Sequence, residues 1–173
     1  MHGLMMTLVI MTVDLSLIDE LEPLYPDRVS PVIEEVRLDA ARGTVAGIHL
    51  VLGDAAEPAI LKFDGAGRFA HRWYRLHDVP VEENTGLGSR TERFKGDVNP
   101  HVIRRAPFRI YEAMEPVDGP IVGEGAYRLE IQVPAETAPG TFETAIEVSQ
   151  GTDLKRHPLT LVVHEAVVPP PGR

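Results

Sequence analysis

Side chains capable of chemistry concentrate in the middle of the chain, between His71 and Arg109. From Arg68 to Arg109 there are nine Lys or Arg against five Asp or Glu, in a protein whose net charge is −9. The candidates are the histidines His71, His77 and His101, the aromatic pair Trp73-Tyr74, the polar run Glu82-Glu83-Asn84, and the cations Arg90, Arg93, Lys95, Arg104, Arg105 and Arg109. These residue types could support four functions: carboxylate catalysis, histidine chemistry, sugar stacking and anion binding.

Glu82 and Glu83 form the most visible carboxylate pair. Hydrolysis of a glycosidic bond needs two carboxyl groups that flank the bond from opposite sides. Neighbouring residues of an extended segment point in opposite directions, so these two can hardly enclose one bond. The pattern therefore favours a solvated loop, and no catalytic residue is assigned.

The central histidines suggest a metal ligand or a general base. His71 and His77 would share one face of a strand yet stand about 20 Å apart, at roughly 3.3 Å per residue, so one ion cannot use both. His77 beside Asp78 could orient a base with His101, but no activated serine accompanies them. Structural histidines are favoured, and no metal or cofactor is predicted. A small hydrolase or isomerase using His and Glu of residues 71–105 stays as an alternative.

Trp73 and Tyr74 invite a sugar-stacking hypothesis. Adjacent strand positions face opposite ways, so at most one of the two rings lies on a given surface. The only Trp of a sandwich domain is also more often a core residue. A core position is favoured for Trp73, and the alternative is a carbohydrate-binding module that uses Trp73 or Tyr74 with polar groups from the Asp78–Arg105 loop, among them Glu82, Glu83 and Asn84.

Arg104 and Arg105 head a cationic group that could bind a uronate, sulfate or phosphate. The same cations could instead pair with Glu82, Glu83, Glu92 and Asp97 and hold the surrounding loop on the domain. Pairing is favoured, with anion binding as the alternative. Without a Gly-rich loop that enters a helix, binding of nucleotide phosphates is not supported.

Composition narrows the functional classes. A length of 173 residues is typical of one domain, and a net charge of −9 argues against nucleic-acid and anionic-membrane partners. The absence of Cys excludes disulfides and thiolate sites but assigns no compartment. The apolar N-terminal run lacks a basic flank and a cleavage pattern, so we interpret it as a buried first strand rather than a signal peptide.

Hydrophobic alternation predicts the elements that carry these residues. A helix is predicted from Ser16 to Leu24, because Ser16 can cap and Asp19 follows three residues later, and Asp64-Gly65-Ala66-Gly67 is predicted as a hairpin loop. Strands are predicted at Leu8–Val13, Val36–Ala40, Ala46–Leu52, Ile60–Phe63, Phe69–Leu76, Tyr127–Val133, Phe142–Val148 and Leu159–Val163. The expected fold is an all-β, antiparallel sandwich, immunoglobulin-like or jelly-roll-like, with about eight or nine strands. It forms one domain over residues 1–173, with a long irregular loop at about 78–105 and a Pro-rich exit at 167–173.

Five segments, taken in order, carry a family resemblance. They are Asp19 to Asp27 (DELEPLYPD), Ala40 to Gly43 (AARG), Asp78 to Val81 (DVPV), Arg105 to Phe108 (RAPF), and Val133-Pro134 followed by Ala138 to Thr141 (APGT). The combination resembles the N-terminal β-sandwich region of glycoside hydrolase family 123-like proteins, which contain a DUF4091-type catalytic domain. The resemblance covers roughly Leu17 to Pro169.

In that family a (β/α)-barrel after the sandwich carries the catalytic carboxylates and acts on N-acetylhexosaminides. No residue of this chain matches the barrel, so the resemblance implies an accessory domain without carried-over catalytic residues. We therefore expect a non-catalytic module that packs on a catalytic barrel domain or subunit, through an apolar or mixed patch near the Val167–Pro171 exit. Carbohydrate and a second copy of the chain are the other partners considered.

Overall fold

The computed structural model describes residues 14–53, 58–83, 93–94, 97–98 and 102–170, and residues 93–94 and 97–98 by their backbone only. Twelve β-strands and one short 3₁₀ helix, Asp64–Gly67, make up the described elements. The strands are β1 (Leu15–Ile18), β2 (Val36–Arg42), β3 (Thr44–Leu52), β4 (Ile60–Phe63), β5 (His71–Val81), β6 (Arg93–Phe94), β7 (Asp97–Val98), β8 (Phe108–Val117), β9 (Ile121–Val122), β10 (Gly125–Val133), β11 (Gly140–Gln150) and β12 (Asp153–Val167). Among these ranges no helix is long and apolar enough to cross a bilayer.

Ten of the strands form two five-stranded sheets, and β6 and β7 form a separate two-stranded ribbon. Sheet A has the order β1-β3-β10-β5-β8, and sheet B has the order β2-β12-β11-β4-β9. The predicted all-β sandwich is confirmed, with ten sandwich strands where eight or nine were expected. One pair departs from the antiparallel prediction, because β2 and β12 run parallel.

The main core lies between the two sheets and follows the predicted alternation. The inward residues of β3 and β10 are all buried: Ala46, Ile48, Leu50, Leu52, Tyr127, Leu129, Ile131 and Val133. Sheet B adds Ile146, Leu159 and Leu161, none of which is exposed. Alternation places these side chains on one face of each strand, and burial of that face supplies most of the stabilising free energy.

The predicted helix at Ser16–Leu24 is wrong. Residues 15–18 form β1, which pairs antiparallel with β3, and Leu15 and Leu17 enter the core. Asp19 does bond to a nearby backbone group, but its carboxylate accepts from the N–H of Leu21 in a turn. The segment therefore forms a strand despite its local capping pattern, because the strand buries apolar side chains and forms backbone hydrogen bonds with its neighbour that a helix could not provide.

The predicted hairpin loop at Asp64–Gly67 is also wrong. These residues form the 3₁₀ helix, and the strands on either side belong to different sheets, since β4 lies in sheet B and β5 in sheet A. Asp64 holds the crossing in place, accepting from the backbone N–H of Ala145 at 2.7 Å and forming an ion pair with Arg156.

The irregular loop is shorter than the predicted 78–105. β5 continues to Val81, and an unpredicted strand, β8, pairs with it from Phe108 onward. A bulge at Glu112 shifts the register, because His77 pairs with Ala113 and Asp78 with Tyr111. The excursion between the strands thus spans residues 82–107, and the predicted strand at Leu8–Val13 lies outside the described residues.

A second apolar cluster covers part of the outer face of sheet A. It contains Ile18, Leu24, Leu76 and Ala126, with Val51 and Tyr111 packed against it. The connector of residues 19–35 crosses this face, and the Leu24 carbonyl accepts from the N–H of Tyr111 at 3.0 Å. The outer face of sheet A is therefore only partly exposed to solvent.

Candidate functional site

Arg104 fixes one end of the 82–107 excursion. Its guanidinium lies 4.4 Å from the ring centre of Tyr25 and 5.2 Å from that of Phe108, and it forms an ion pair with Asp27. The hydrogen bond from Arg104 lowers the pKa of Asp27. The expected pairing of this arginine is thus present, and it includes a carboxylate of the connector, Asp27, that the sequence did not point to.

A second ion pair closes the hairpin at its base. Arg109 on β8 bonds to the carboxylate of Asp78 on β5, and also donates to the Asp78 carbonyl at 2.9 Å. The hydrogen bond from Arg109 lowers the pKa of Asp78. Arg105 is exposed, as are Glu82 and Glu83, and Asn84 lies outside the described residues. Arg104 is therefore committed to structural contacts, and ligand binding at the other four positions stays a prediction.

The sheet separates Trp73 from Tyr74. Trp73 is 5% exposed and belongs to the core cluster between the sheets, so its ring offers no exposed stacking face. Tyr74 is half-buried on the opposite, outer face of sheet A, with its hydroxyl 3.5 Å from a guanidinium nitrogen of Arg72. The core position favoured for Trp73 agrees with its burial.

The edge of Trp73 contributes to a groove at the open side of the sandwich, which we call the seam groove. Its volume is about 630 Å³, and it is lined by Leu61, Lys62, Phe63, His71, Arg72, Trp73, Val117, Asp118, Gly119 and Pro120. The imidazole of His71 is 5.2 Å from the ring of Phe63 and 6.5 Å from that of Trp73. Burial lowers the pKa of His71, so its ring is neutral at pH 7 and can donate a hydrogen bond from one nitrogen and accept one at the other.

Among the described residues, His77 and His164 each contact a carboxylate other than Glu82 or Glu83. His77 lies 2.7 Å from the carboxylate of Glu115 on β8, and His164 lies 2.7 Å from Asp39. His101 lies outside the described residues. Within the described ranges, no group of three or more His, Asp or Glu has the geometry to hold a metal ion.

A polar network on the outer face of sheet A escaped the sequence analysis. Arg128 bonds to Glu20 at 2.8 Å and to Glu130 at 3.1 Å, and the Glu20–Arg128 pair lies over Gly47. His49 is next to this pair, and its pKa falls to about 4 through burial and then the charge of Arg128. A glycine inside an otherwise apolar strand was the one available signal, because it often marks close approach of another group.

At the end of β12 the chain is anchored to the turn between the sheets. The N–H of Val168 donates to the Arg42 carbonyl at 2.8 Å, and Arg42 donates to the Glu165 carbonyl at the same distance. Gly43 adopts a φ of 78° in this turn, with the Val168 carbonyl oxygen only 2.4 Å from where a Cβ would lie. Three valines around the turn, which we call the exit patch, remain exposed: Val45 (46%), Val167 (47%) and Val168 (45%).

Comparison with known proteins shows that this chain resembles a solved structure in its fold. No protein-family model matches the chain, and no curated protein matches it by sequence. A solved family 123 glycoside hydrolase from Clostridium perfringens, described in terms of glycolipid glycan hydrolysis, superposes with a TM-score of 0.60 and 11% identity. The match covers 91% of this chain and 28% of that hydrolase chain.

A pilin subunit, CooA from enterotoxigenic Escherichia coli, also matches. It shares 15% identity over 91% of this chain and 99% of the pilin, but its TM-score of 0.32 is too low to support any inference. The chain thus spans little more than a quarter of the family 123 hydrolase it resembles. At this level of identity the likeness shows a shared β-sandwich fold.

Proposed function

We propose that the chain is a non-catalytic β-sandwich module of a glycoside hydrolase-type protein, and that it packs on the catalytic domain or subunit. The observation that carries this proposal is the family 123 likeness, which takes in 91% of this chain but only 28% of the hydrolase. Such proportions are what a module shared with a larger enzyme would give. The ordered segments from Asp19 to Thr141 that resemble the same family support the proposal independently.

The exit patch is the surface we assign to this contact. Val45, Val167 and Val168 present apolar side chains around a rigid turn, where backbone bonds hold the end of β12 against Arg42. A domain or subunit that packs there would meet a fixed surface, so little conformational entropy would be lost on binding. Exposed apolar groups around such a site are the usual mark of an interface.

The test is a calorimetric titration of the purified chain against the barrel-type hydrolase encoded nearest to it in its genome. Saturable binding is expected, and Val45→Ser with Val168→Ser should weaken it at least tenfold. Leu154→Ser is the matched control, because Leu154 is also an exposed apolar residue, at 60%, and lies at the far end of β12, about 40 Å from Val167 along the strand. Hydrolysis of an N-acetylhexosaminide by the chain alone, or the absence of binding, would overturn the proposal.

A second function, carbohydrate binding, is supported by the position of Tyr74. Its ring lies on the outer face of sheet A beside Arg72, and cross-strand pairing puts Arg128 opposite it. An aromatic ring flanked by hydrogen-bond donors and by the carboxylate of Glu130 suits the CH face and the hydroxyls of a pyranose.

Screening of the chain on neutral, amino and acidic glycans tests this second function. Binding should be lost in Tyr74→Ala and kept in Tyr111→Ala, which alters a tyrosine of the connector-covered cluster instead. Silence across all three glycan classes, or equal binding by both variants, would exclude Tyr74 as a sugar platform.

A further inference from the structure

The seam groove lies where a strand in each sheet extends beyond the end of the neighbouring strand that pairs with it. In sheet B, β9 covers only Ile60 and Leu61 of β4, so no described strand pairs with Lys62 and Phe63 on that side. In sheet A, β8 reaches only as far as Trp73 of β5, which leaves His71 and Arg72 beyond its end. The crossover Asp118–Pro120, which joins β8 to β9, closes one end of the space between these two open edges.

Hydrogen-bond directions show that backbone groups face the open edges. The Ala59 carbonyl accepts from Gly123 at 3.1 Å on the β9 side of β4, and because direction alternates along a strand, the N–H of Phe63 points to the same side. The Ala70 carbonyl accepts from Gln132 of the β10 side at 2.8 Å, so the N–H and C=O of His71 point the other way, past the end of β8.

The walls of the groove combine an apolar base with cations at the mouth. Leu61, Phe63 and Trp73 contribute the base, and all three are buried core residues. Lys62 and Arg72 are exposed, and neither has a carboxylate within ion-pair distance in the part of the chain that the structure describes. Asp118 is the single acidic residue of the lining, so the charged side chains of the lining sum to +1 in an acidic protein, with the charge of Glu130 also acting on Arg72.

We propose that the seam groove binds an extended, acidic peptide segment of a partner protein. Unpaired strand edges beside an apolar groove are the elements that strand addition uses, with main-chain bonds for affinity and a side-chain pocket for specificity. One apolar side chain of the segment fills the groove over Leu61 and Trp73, and flanking Asp or Glu residues meet Lys62 and Arg72. A volume of about 630 Å³ lies within the range of about 300–1,000 Å³ typical of binding pockets.

This site shares no residue with the exit patch, and Arg72 is the one residue that it shares with the Tyr74 face. Tyr74→Ala should leave binding of EVEVE unchanged, which separates this proposal from the second proposed function. The site also has a built-in reporter, because Trp73 is the only tryptophan in the chain. A change in its fluorescence therefore originates at the groove.

The probe is the acetylated and amidated pentapeptide EVEVE, titrated against the whole chain while Trp73 fluorescence and the amide shifts of residues 62–63 and 71–72 are recorded. A saturable change is expected with EVEVE and none with the cationic peptide KVKVK. Lys62→Glu with Arg72→Glu should weaken binding of EVEVE at least tenfold, whereas Lys155→Glu, an exposed lysine outside the groove, should leave it unchanged. Both altered side chains are exposed, and a matching melting temperature will verify folding.

Two versions of EVEVE, N-methylated on alternate residues, test the main-chain bonds. Only one set of N–H groups faces the protein in strand addition, so one version should lose binding and the other keep it. Equal binding by both versions, equal binding by KVKVK, or no change at millimolar peptide would overturn the proposal. Binding of an oligouronate without binding of EVEVE would do the same, since it would assign the groove to sugars.

Discussion

At the scale of single residues, Tyr127 illustrates how a polar atom is accommodated in the core. The ring is buried, and its hydroxyl lies 3.2 Å from the Gly123 carbonyl and 3.1 Å from the Glu124 carbonyl, a few residues upstream. This arrangement is similar to the tyrosine corner of β-sandwich domains. It fixes the entry into β10 while the ring contributes to packing.

Tyr127→Phe should lower the free energy of unfolding by about 1 kcal/mol, because one buried hydrogen bond is lost and the carbonyls lose a partner. Urea denaturation at pH 7 measures the change. Tyr74→Phe is the matched control, since that hydroxyl lies on the outer face of sheet A, and it should change stability by less than about 0.5 kcal/mol. Equal losses of unfolding free energy in the two variants would mean that the hydrogen bonds to the Gly123 and Glu124 carbonyls do not contribute to stability.

Arg104 is the residue whose role changed most between sequence and structure. Its guanidinium stacks on Tyr25 and Phe108, so it joins the connector to the start of β8. We expect Arg104→Ala to lower the melting temperature by a few degrees, and Arg104→Lys to recover only part of the loss, because an ammonium lacks the planar surface for stacking. Lys155→Ala, the removal of an exposed cation, should have no measurable effect in the same scan. Full recovery by lysine would show that charge alone matters.

At the scale of elements, the crossing between β2 and β3 depends on Gly43. A side chain there would have to adopt a positive φ and would also collide with the Val168 carbonyl. Gly43→Ala should therefore destabilise the protein by about 2 kcal/mol or more, from left-handed strain of about 1–2 kcal/mol together with displacement of the end of β12.

Gly119→Ala separates the two contributions. Gly119 has a φ of 99° but no atom within 4 Å of the added Cβ, so its substitution introduces strain without a collision. Chemical denaturation of both variants should give a clearly larger loss for Gly43→Ala. If the two losses match, the contact with Val168 contributes nothing and the anchoring of β12 has to be sought elsewhere.

Several elements could be predicted from sequence because burial imposes a local pattern. Every second residue of β3 from Ala46 to Leu52 is apolar, β10 alternates apolar and polar residues from Tyr127 to Val133, and each strand was found in place. β8 was missed because its residues 112–116 are mostly exposed and include Pro116 and a bulge, so alternation vanishes. At Asp64–Gly67 the turn residues were recognisable, but the pattern could not show that the next strand enters the other sheet.

The candidate sites were less accessible to sequence reasoning than the strands. Alternation separated Trp73 from Tyr74 correctly, because it is a property of the strand itself. The partners of Arg104 could not be inferred, since Tyr25 and Asp27 lie about 80 positions earlier and meet it only after the sheet has formed. The seam groove depends on where β8 and β9 end, and strand ends are the least predictable features of a pattern.

At the scale of the whole molecule, protonation links several of these residues to stability. Burial lowers the pKa of His49, His71 and His157, that of His49 to about 4. An unfolded histidine has a pKa of about 6.5, so the unfolded chain binds more protons between that value and the folded one. Stability should therefore fall as the pH is lowered from about 6.5 toward 4, by at most about 1.4 kcal/mol per pH unit for each histidine.

Aspartates affect the stability of the folded chain in a second, more acidic pH range. Hydrogen bonds from Arg37 and then His164 lower the pKa of Asp39 to about 2, and Arg104 and Arg109 lower those of Asp27 and Asp78. Because an unfolded aspartate has a pKa of about 3.9, these groups stabilise the folded chain above that pH. That contribution should be lost as the pH falls from about 4 toward 2.

Two variants should each weaken one of these pH dependences and leave the other unchanged. His49→Gln should flatten the dependence of the urea midpoint on pH between 6.5 and 4 while leaving the steeper fall below pH 4 intact. Asp39→Asn should do the reverse, because it removes a carboxylate that is ionised in the folded protein. Urea denaturation from pH 7.5 to 2.5 measures both, and comparison of slopes rather than absolute midpoints cancels any constant effect of the substitution. A His49→Gln profile parallel to that of the unaltered protein from pH 6.5 to 4 would show that His49 titrates alike in the folded and unfolded chain, so that the loss of stability in this range would have to come from His71 and His157.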